Sequence, residues 1–199
     1  MSRKLTLDDI ADLRAYERER QDFRAQVIDL KARRRVGLGP FVTVVFENRE
    51  TIRFQIQEMA RVERLLTDEA IEIELRTYNP LVPEPGELAM TLFIELTTDA
   101  DLRSWLPKLV GIERALVLRI GDGDECIEVA ATPEDAHAAN LTRDETTASV
   151  HYLHFRLSAD QIDAFAAGPV TLALTHPEYD HATALRAETM QELLTDLRD

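Results

Sequence analysis

The sequence predicts an α+β fold: a mainly antiparallel sheet of about five or six strands with flanking helices and a long N-terminal helix. Two observations support this class. Strand-like and helix-like segments follow one another in mixed order, without the regular alternation of a parallel sheet. The glycine-rich segment 121–124 separates two apolar runs and is typical of a β-hairpin, which joins antiparallel strands.

A single long helix is predicted from a cap at Thr6 to about Arg34, because no Gly or Pro interrupts this stretch. Residues at spacings of three and four form one stripe along it: Leu13, Tyr16, Arg20, Phe23, Val27 and Leu30. The stripe either packs on the sheet or forms the helix–helix seam of a homodimer. We therefore expect residues 1–35 to be an N-terminal helical arm and residues 36–199 a single α+β domain.

The segment after the first helix has two interpretations. Gly37, Gly39 and Pro40 end the helix, and the apolar run 41–46 predicts a strand. Residues 51–57 alternate between apolar and polar side chains, which suits the return strand of a hairpin. Strong helix formers follow, however, and an asparagine stands where a helix cap is needed, so we predict a helix.

The remaining elements follow from the same signals of periodicity, caps and breakers. The predicted helices and strands, in chain order, are a helix over 67–79, a strand over 88–96, a short helix over 102–105, hairpin strands over 114–120 and 125–130, a strand over 148–157, a helix over 158–168, a strand over 170–175 and a final helix over 185–197.

Charge is unevenly placed in this 199-residue chain, whose net charge is −14. Residues 1–35 carry ten Lys or Arg against seven Asp or Glu, whereas the rest carries thirteen against thirty. A body this acidic repels phosphate backbones, so we expect no nucleic-acid partner. The chain has no apolar run of membrane-spanning length, no secretory core at its start and one cysteine, Cys126. These features predict a cytoplasmic protein without membrane contact.

Polar side chains are dense just after the first predicted strand. Glu50, Arg53 and Gln57 share one face of the predicted helix, and Glu47 and Arg49 stand at its start. Guanidinium and amide groups beside carboxylates suit the binding of an anionic ligand or of a partner carboxylate. The alternative is a solvated helix face with weak ion pairs. These five residues are the predicted ligand- or partner-binding site.

Two histidines suggest a metal site. His176 and His181 bracket an acidic segment that we predict to be a loop, and a loop would let both imidazoles and a carboxylate meet one ion. The alternative is that both are simply exposed. The sequence contains no nucleophile elbow, no Cys-x-x-Cys, no phosphate-binding glycine loop and no dinucleotide fingerprint. The catalytic residues are therefore unknown, and no cofactor is expected.

Several segments together resemble the bacterial family called domain of unknown function 3501, and the resemblance runs over essentially the whole chain. The segments are 5–10, 46–51, 53–59, 77–81 and 150–153. Genes of that family often stand beside a rubrerythrin-like protein and an iron–sulfur oxidoreductase similar to heterodisulfide reductase subunits. The resemblance thus implies a role in an oxidative-stress or electron-transfer module. No catalytic residues are established for the family.

The first functional hypothesis is a cytoplasmic accessory or interaction protein that serves such a redox module through a protein partner. The chain lacks the cysteines of an iron–sulfur cluster and the Glu-x-x-His pairs of a di-iron bundle, so it would not be the redox centre itself. The alternatives are an enzyme or small-molecule-binding protein with a polar Arg/Gln/Glu pocket, and a metal-binding protein.

Overall fold

The computed structural model describes residues 3–123, 126–134 and 145–198. Within these ranges the predicted α+β class, the antiparallel pairing and the long N-terminal helix are confirmed. The helices are α1 (Leu13–Arg34), α2 (Arg49–Glu63), α3 (Asp68–Tyr78), α4 (Asp99–Trp105), α5 (Ala159–Ala167) and α6 (Ala187–Arg198). Three short 3-10 helices cover Leu7–Asp9, Asn79–Leu81 and Ile112–Arg114.

The described strands form two antiparallel sheets. In chain order they are β1 (Arg35–Leu38), β2 (Val42–Glu47), β3 (Glu87–Ile94), β4 (Leu116–Ile120), β5 (Ile127–Ala130), β6 (Thr132–Pro133), β7 (Val150–Arg156), β8 (Val170–His176) and β9 (Tyr179–Ala184). One sheet has the order β1-β2-β3-β7-β6, and the other has the order β5-β4-β8-β9. The predicted hairpin joins β4 and β5, although its residues 124–125 lie outside the described ranges.

Three strands were not predicted, which is why the described strands number nine rather than five or six. β1 continues directly from α1 and contains a glycine, so its four residues carry little strand signal. β6 has two residues, one of them a proline. β9 lies where the sequence predicts a loop between His176 and His181. The polar sequence around Asp135, His137 and Asn140 also predicts a loop, but these residues lie outside the described ranges.

Helix starts follow side-chain caps rather than the absence of breakers. Thr6 caps the separate 3-10 turn, and α1 begins only at Leu13, where Asp12 accepts a hydrogen bond from the Ala15 N–H at 2.8 Å. The prediction of one helix from Thr6 was therefore wrong at its start. The helical interpretation of residues 51–57 is confirmed. Asn48 caps α2 by accepting from the Thr51 N–H at 3.0 Å.

The stripe of α1 packs mainly against α2 of the same chain rather than on the sheet. Tyr16, Phe23 and Val27 are buried there, and the Phe54 ring of α2 meets Phe23 edge to face at 5.6 Å between centroids. A homodimer through α1 would therefore use other side chains, such as the exposed Ile28. That homodimer, and the division into an arm and a body, stay predictions.

The sheet that contains β2, β3 and β7 separates two apolar clusters. The main core includes Phe46, Met90 and Leu153, which pair across these three strands, together with side chains of the other sheet and of α5 and α6. A smaller cluster lies under α2 and α3 and includes Ile52 and Leu81. The opposite face of the same strands is therefore covered by helices.

In the part of the chain that the structure describes, no helix combines the length and the apolar character needed to cross a bilayer.

Candidate functional site

Strand alternation places polar groups beneath α2 and α3. Neighbouring residues of a strand point to opposite faces, so Glu47 points away from the main core that Phe46 enters. Thr91 of β3 pairs with Tyr152 of β7, and both therefore lie on the face that Glu47 shares. Their side chains meet the underside of the helices.

A cavity of about 180 Å³ lies between this sheet face and the helices, and we call it the Glu47 cavity. It holds on the order of six water-sized volumes at liquid density. Its walls come from α1, α2, α3, the 3-10 turn after α3 and three strands. The lining residues are Lys31, Glu47, Ile52, Gln55, Tyr78, Leu81, Thr91, Phe93, Val150 and Tyr152.

Glu47 is a buried acidic residue of this cavity, with 4% of the residue exposed. Its Oε1 accepts a hydrogen bond from the Thr91 hydroxyl at 2.8 Å. Its Oε2 is buried and accepts no hydrogen bond from the described residues. Lys31 Nζ lies 3.8 Å from Oε2, which is an ion pair without a hydrogen bond. A carboxylate offers about four acceptor positions, so Glu47 retains unused capacity.

Two tyrosines line the cavity in their protonated form. Burial raises the pKa of Tyr78, although a hydrogen bond with the Gln55 side chain opposes this effect. Burial also raises the pKa of Tyr152, and the nearby Tyr78 and Glu47 raise it further. Both rings therefore keep their O–H groups at neutral pH and provide aromatic surface beside a carboxylate.

The other four residues of the predicted site do not line the Glu47 cavity. Arg49 binds the Asp9 carboxylate at 2.5 Å and the Arg3 carbonyl at 3.1 Å, which ties the N-terminal turn to α2. Glu50 forms an ion pair with Arg53 at 3.1 Å. The Arg53 guanidinium also lies over a phenylalanine ring of α1, 4.2 Å from its centroid.

Gln57 is buried and serves as a backbone clamp. Its Oε1 accepts from the Ala11 N–H at 2.7 Å, and its Nε2 donates to the Ala11 carbonyl at 3.1 Å. Both polar atoms of the amide are thus used to hold the segment before α1. Of the five predicted residues, the structure brings Glu47 alone into the cavity.

Sequence reasoning did not identify Lys31, Thr91, Tyr78 or Tyr152 as site residues. They come from separate elements, and no spacing connects them. One signal was present, however: Tyr78 and Tyr152 both lie within segments that carry the family resemblance, 77–81 and 150–153. A shared tyrosine in two such segments was the available indication of a common site.

The predicted metal residues lie on a hairpin, not in a loop. His176 ends β8 and His181 lies within β9, with a two-residue turn between the strands. His176 uses both ring nitrogens on backbone, since Nδ1 accepts from the Glu178 N–H at 3.2 Å and Nε2 lies 3.1 Å from the Val110 carbonyl. The His181 ring packs on Tyr179 at 4.5 Å. Across the described residues, no three His, Cys, Asp or Glu side chains are grouped for a metal ion.

A larger cavity of about 560 Å³ lies beside His154 and adjoins Glu134, where a described range ends. Glu87 and Arg156, which line this larger cavity, form an ion pair with each other at 2.8 Å. The unsatisfied group there is His154 Nδ1, and burial lowers the pKa of this imidazole, which keeps it neutral. A neutral nitrogen costs less to bury than a carboxylate oxygen. The Glu47 cavity is therefore the stronger candidate.

Comparison with known proteins gives the family but no activity. The family model described as "Protein of unknown function (DUF3501)" matches residues 4–197. The chain is similar to the crystal structure of a novel protein of unknown function from Burkholderia pseudomallei K96243, with 35% sequence identity and a TM-score of 0.88 over 98% of this chain and 99% of that one. No curated protein matches. The chain therefore belongs to the DUF3501 family.

Proposed function

We propose that this protein binds a small molecule in the Glu47 cavity. One observation carries the proposal: the buried Glu47 carboxylate has an oxygen, Oε2, that no described donor reaches within hydrogen-bond distance. An unsatisfied buried acceptor costs roughly 1–3 kcal/mol, and more when it is charged. A ligand that donates a hydrogen bond to Glu47 would recover this free energy.

The walls of the cavity support a ligand rather than solvent alone. Tyr78, Tyr152 and Phe93 supply aromatic surface, and Ile52, Leu81 and Val150 supply aliphatic surface. Pockets for small molecules are typically apolar with a few fixed polar groups that orient the ligand. Here the fixed polar groups are the Glu47 carboxylate and the Lys31 ammonium.

Replacing Glu47 by glutamine tests the proposal. We expect fragments that bind the wild-type protein in ligand-observed NMR to bind at least about tenfold more weakly to Glu47→Gln, because charge-assisted hydrogen bonds are about twice as strong as neutral ones. The melting temperature should not fall, since a buried charge with incomplete pairing is removed.

Glu50→Gln is the matched control, because Glu50 carries the same charge on the following turn and does not line the cavity. It should bind the same fragments as the wild type. A screen in which no fragment depends on Glu47, or in which both variants lose binding equally, would contradict the proposal.

We propose as a second candidate the accessory role beside a redox protein, in the cytoplasm. It is supported by an apolar groove where the N-terminal 3-10 turn and the start of α1 meet the loop between α2 and α3. Leu66 in this groove is 81% exposed. The charged groove residues are Asp12 and Asp68, both acidic. The partner that fits is a protein segment with an apolar side chain flanked by Lys or Arg.

Co-purification tests this second candidate. The tagged protein should retain rubrerythrin-like or iron–sulfur proteins of its own cell at low salt, and Leu66→Ser should lose them. Val62→Ser is the control, because Val62 is also an exposed apolar residue but does not line the groove. Absence of these redox proteins from the wild-type eluate, or equal loss in both variants, would argue against the role.

A further inference from the structure

We infer that the ligand of the Glu47 cavity carries an N–H donor and a carboxylate or carbonyl acceptor side by side, as an amino acid or a primary amide does. This inference rests on the proposed small-molecule function and specifies the ligand. It follows from the two opposite charges that lie close together in the lining, from the apolar side chains in the rest of the lining, and from the volume of the cavity.

The lining of the Glu47 cavity is balanced in charge. Of the ten lining residues, Lys31 and Glu47 carry formal charges, and these have opposite sign. Lys31 Nζ and Glu47 Oε2 are 3.8 Å apart. This separation is comparable to the span between the donor and acceptor ends of one small polar group. A ligand that places its donor at Glu47 and its acceptor at Lys31 adds a hydrogen bond to each member of this ion pair.

A ligand with a single charge fits this pair of opposite charges poorly. A cation bound at Glu47 would also lie beside the Lys31 ammonium, and like charges at this range repel each other. An anion bound at Lys31 would lie close to the buried Glu47 carboxylate, and these two negative charges would repel each other. The wall therefore disfavours both a simple amine and a simple acid, and it favours a donor–acceptor pair.

The remainder of the cavity is small and partly apolar. Ile52, Leu81, Phe93 and Val150 provide apolar surface in the same lining. The volume of about 180 Å³ equals that of on the order of six water molecules at liquid density, which is enough for a small organic molecule. The ligand is therefore a compact molecule with a polar head and a short apolar body.

Four probes of matched size test this inference by NMR titration of the labelled protein: alanine, propionamide, propylammonium and propionate. We expect alanine or propionamide to shift the backbone amides of Thr91 and Tyr152 saturably. Their dissociation constants should be at least about tenfold lower than those of propylammonium and propionate. In Glu47→Gln the tighter probe should lose most of its affinity.

Lys31→Met provides the second arm, since it removes the ammonium and retains a flexible apolar stem. In this variant propylammonium should gain at least about tenfold relative to propionamide, because the repelling cation is absent. A purely structural role of Lys31 would leave this ratio unchanged.

The outcomes separate the two proposals. Equal or tighter binding of propylammonium or propionate to the wild-type protein overturns the inference about the ligand and leaves the small-molecule function standing. If all four probes fail to bind while fragments of another class bind in a manner that depends on Glu47, the inference about the ligand is again overturned and the small-molecule function again stands. Failure of every fragment to depend on Glu47 overturns the proposed function itself.

Discussion

Replacing Arg34 by alanine is expected to lower the free energy of unfolding by about 3–5 kcal/mol, because it breaks a buried ion pair from one side. The Arg34 side chain is 0% exposed although it lies at the end of α1. Its Nε donates to the Phe46 carbonyl at 3.0 Å, and its guanidinium pairs directly with Asp196 of α6. Without Arg34, the Asp196 carboxylate stays largely buried, with 13% of its side chain exposed, and lacks its main cation.

The neighbouring Arg33→Ala is the matched control for this prediction. Arg33 lies one position earlier on α1 and pairs with Glu192 at 2.8 Å, but its side chain is partly exposed. Urea unfolding of the two variants should therefore show a much larger fall of the midpoint for Arg34→Ala. Equal falls of the two urea midpoints would mean that the burial of Arg34 does not increase the loss of stability when the ion pair is broken.

The pH dependence of the Arg34→Ala effect follows from Asp196. Burial raises the pKa of Asp196 to about 6, and the charge of Arg34 opposes this rise. Loss of Arg34 should raise the pKa of Asp196 further. A carboxyl group whose folded pKa is raised disfavours the folded state increasingly as pH rises above its unfolded value of 3.8. The cost of Arg34→Ala should thus be smaller at pH 5 than at pH 8.

Elements with a local cap or breaker were predictable, and those defined by distant partners were not. Asn48 and Thr51 form a reciprocal cap within three residues, so the start of α2 could be inferred despite the strand-like alternation that follows. β1 and β9 exist because they pair with β2 and β8. Their own residues carry little strand preference, so pairing decided their conformation.

The residues of the candidate site likewise include some that the sequence could predict and others that it could not. Glu47 was identified because the end of a strand before a polar segment is a common place for a site. Arg53 was grouped with it by helical spacing and Arg49 by its place at the helix start, yet each has a carboxylate or ring of its own within reach. Spacing along a helix shows which residues share a face, but it does not show which intramolecular partners occupy them. Thr91 and Tyr152 became neighbours of Glu47 only through the register of three strands.

One carboxylate joins α1 to α2 beside their apolar contact, and its loss is expected to have a large effect. Glu58 of α2 accepts from the Tyr16 hydroxyl at 2.7 Å and from Arg20 at 2.8 and 2.9 Å. These hydrogen bonds, that of Arg20 first, lower the pKa of Glu58 to about 2 from the usual 4.5, although burial opposes them. The ionised carboxylate therefore stabilises the folded chain. Glu58→Gln is expected to lower the free energy of unfolding by about 1–3 kcal/mol at pH 7.

The sign of the pH dependence distinguishes this effect from a simple loss of packing. A folded-state pKa below the unfolded value gives stability that is present above pH 4.5 and is lost as pH falls toward 2. The difference between wild type and Glu58→Gln in urea unfolding should therefore shrink between pH 6 and pH 3. Glu63→Gln, an exposed change on the same helix, should cost little at either pH. A Glu58→Gln effect that stays constant with pH would show that the carboxylate charge does not hold α1 against α2.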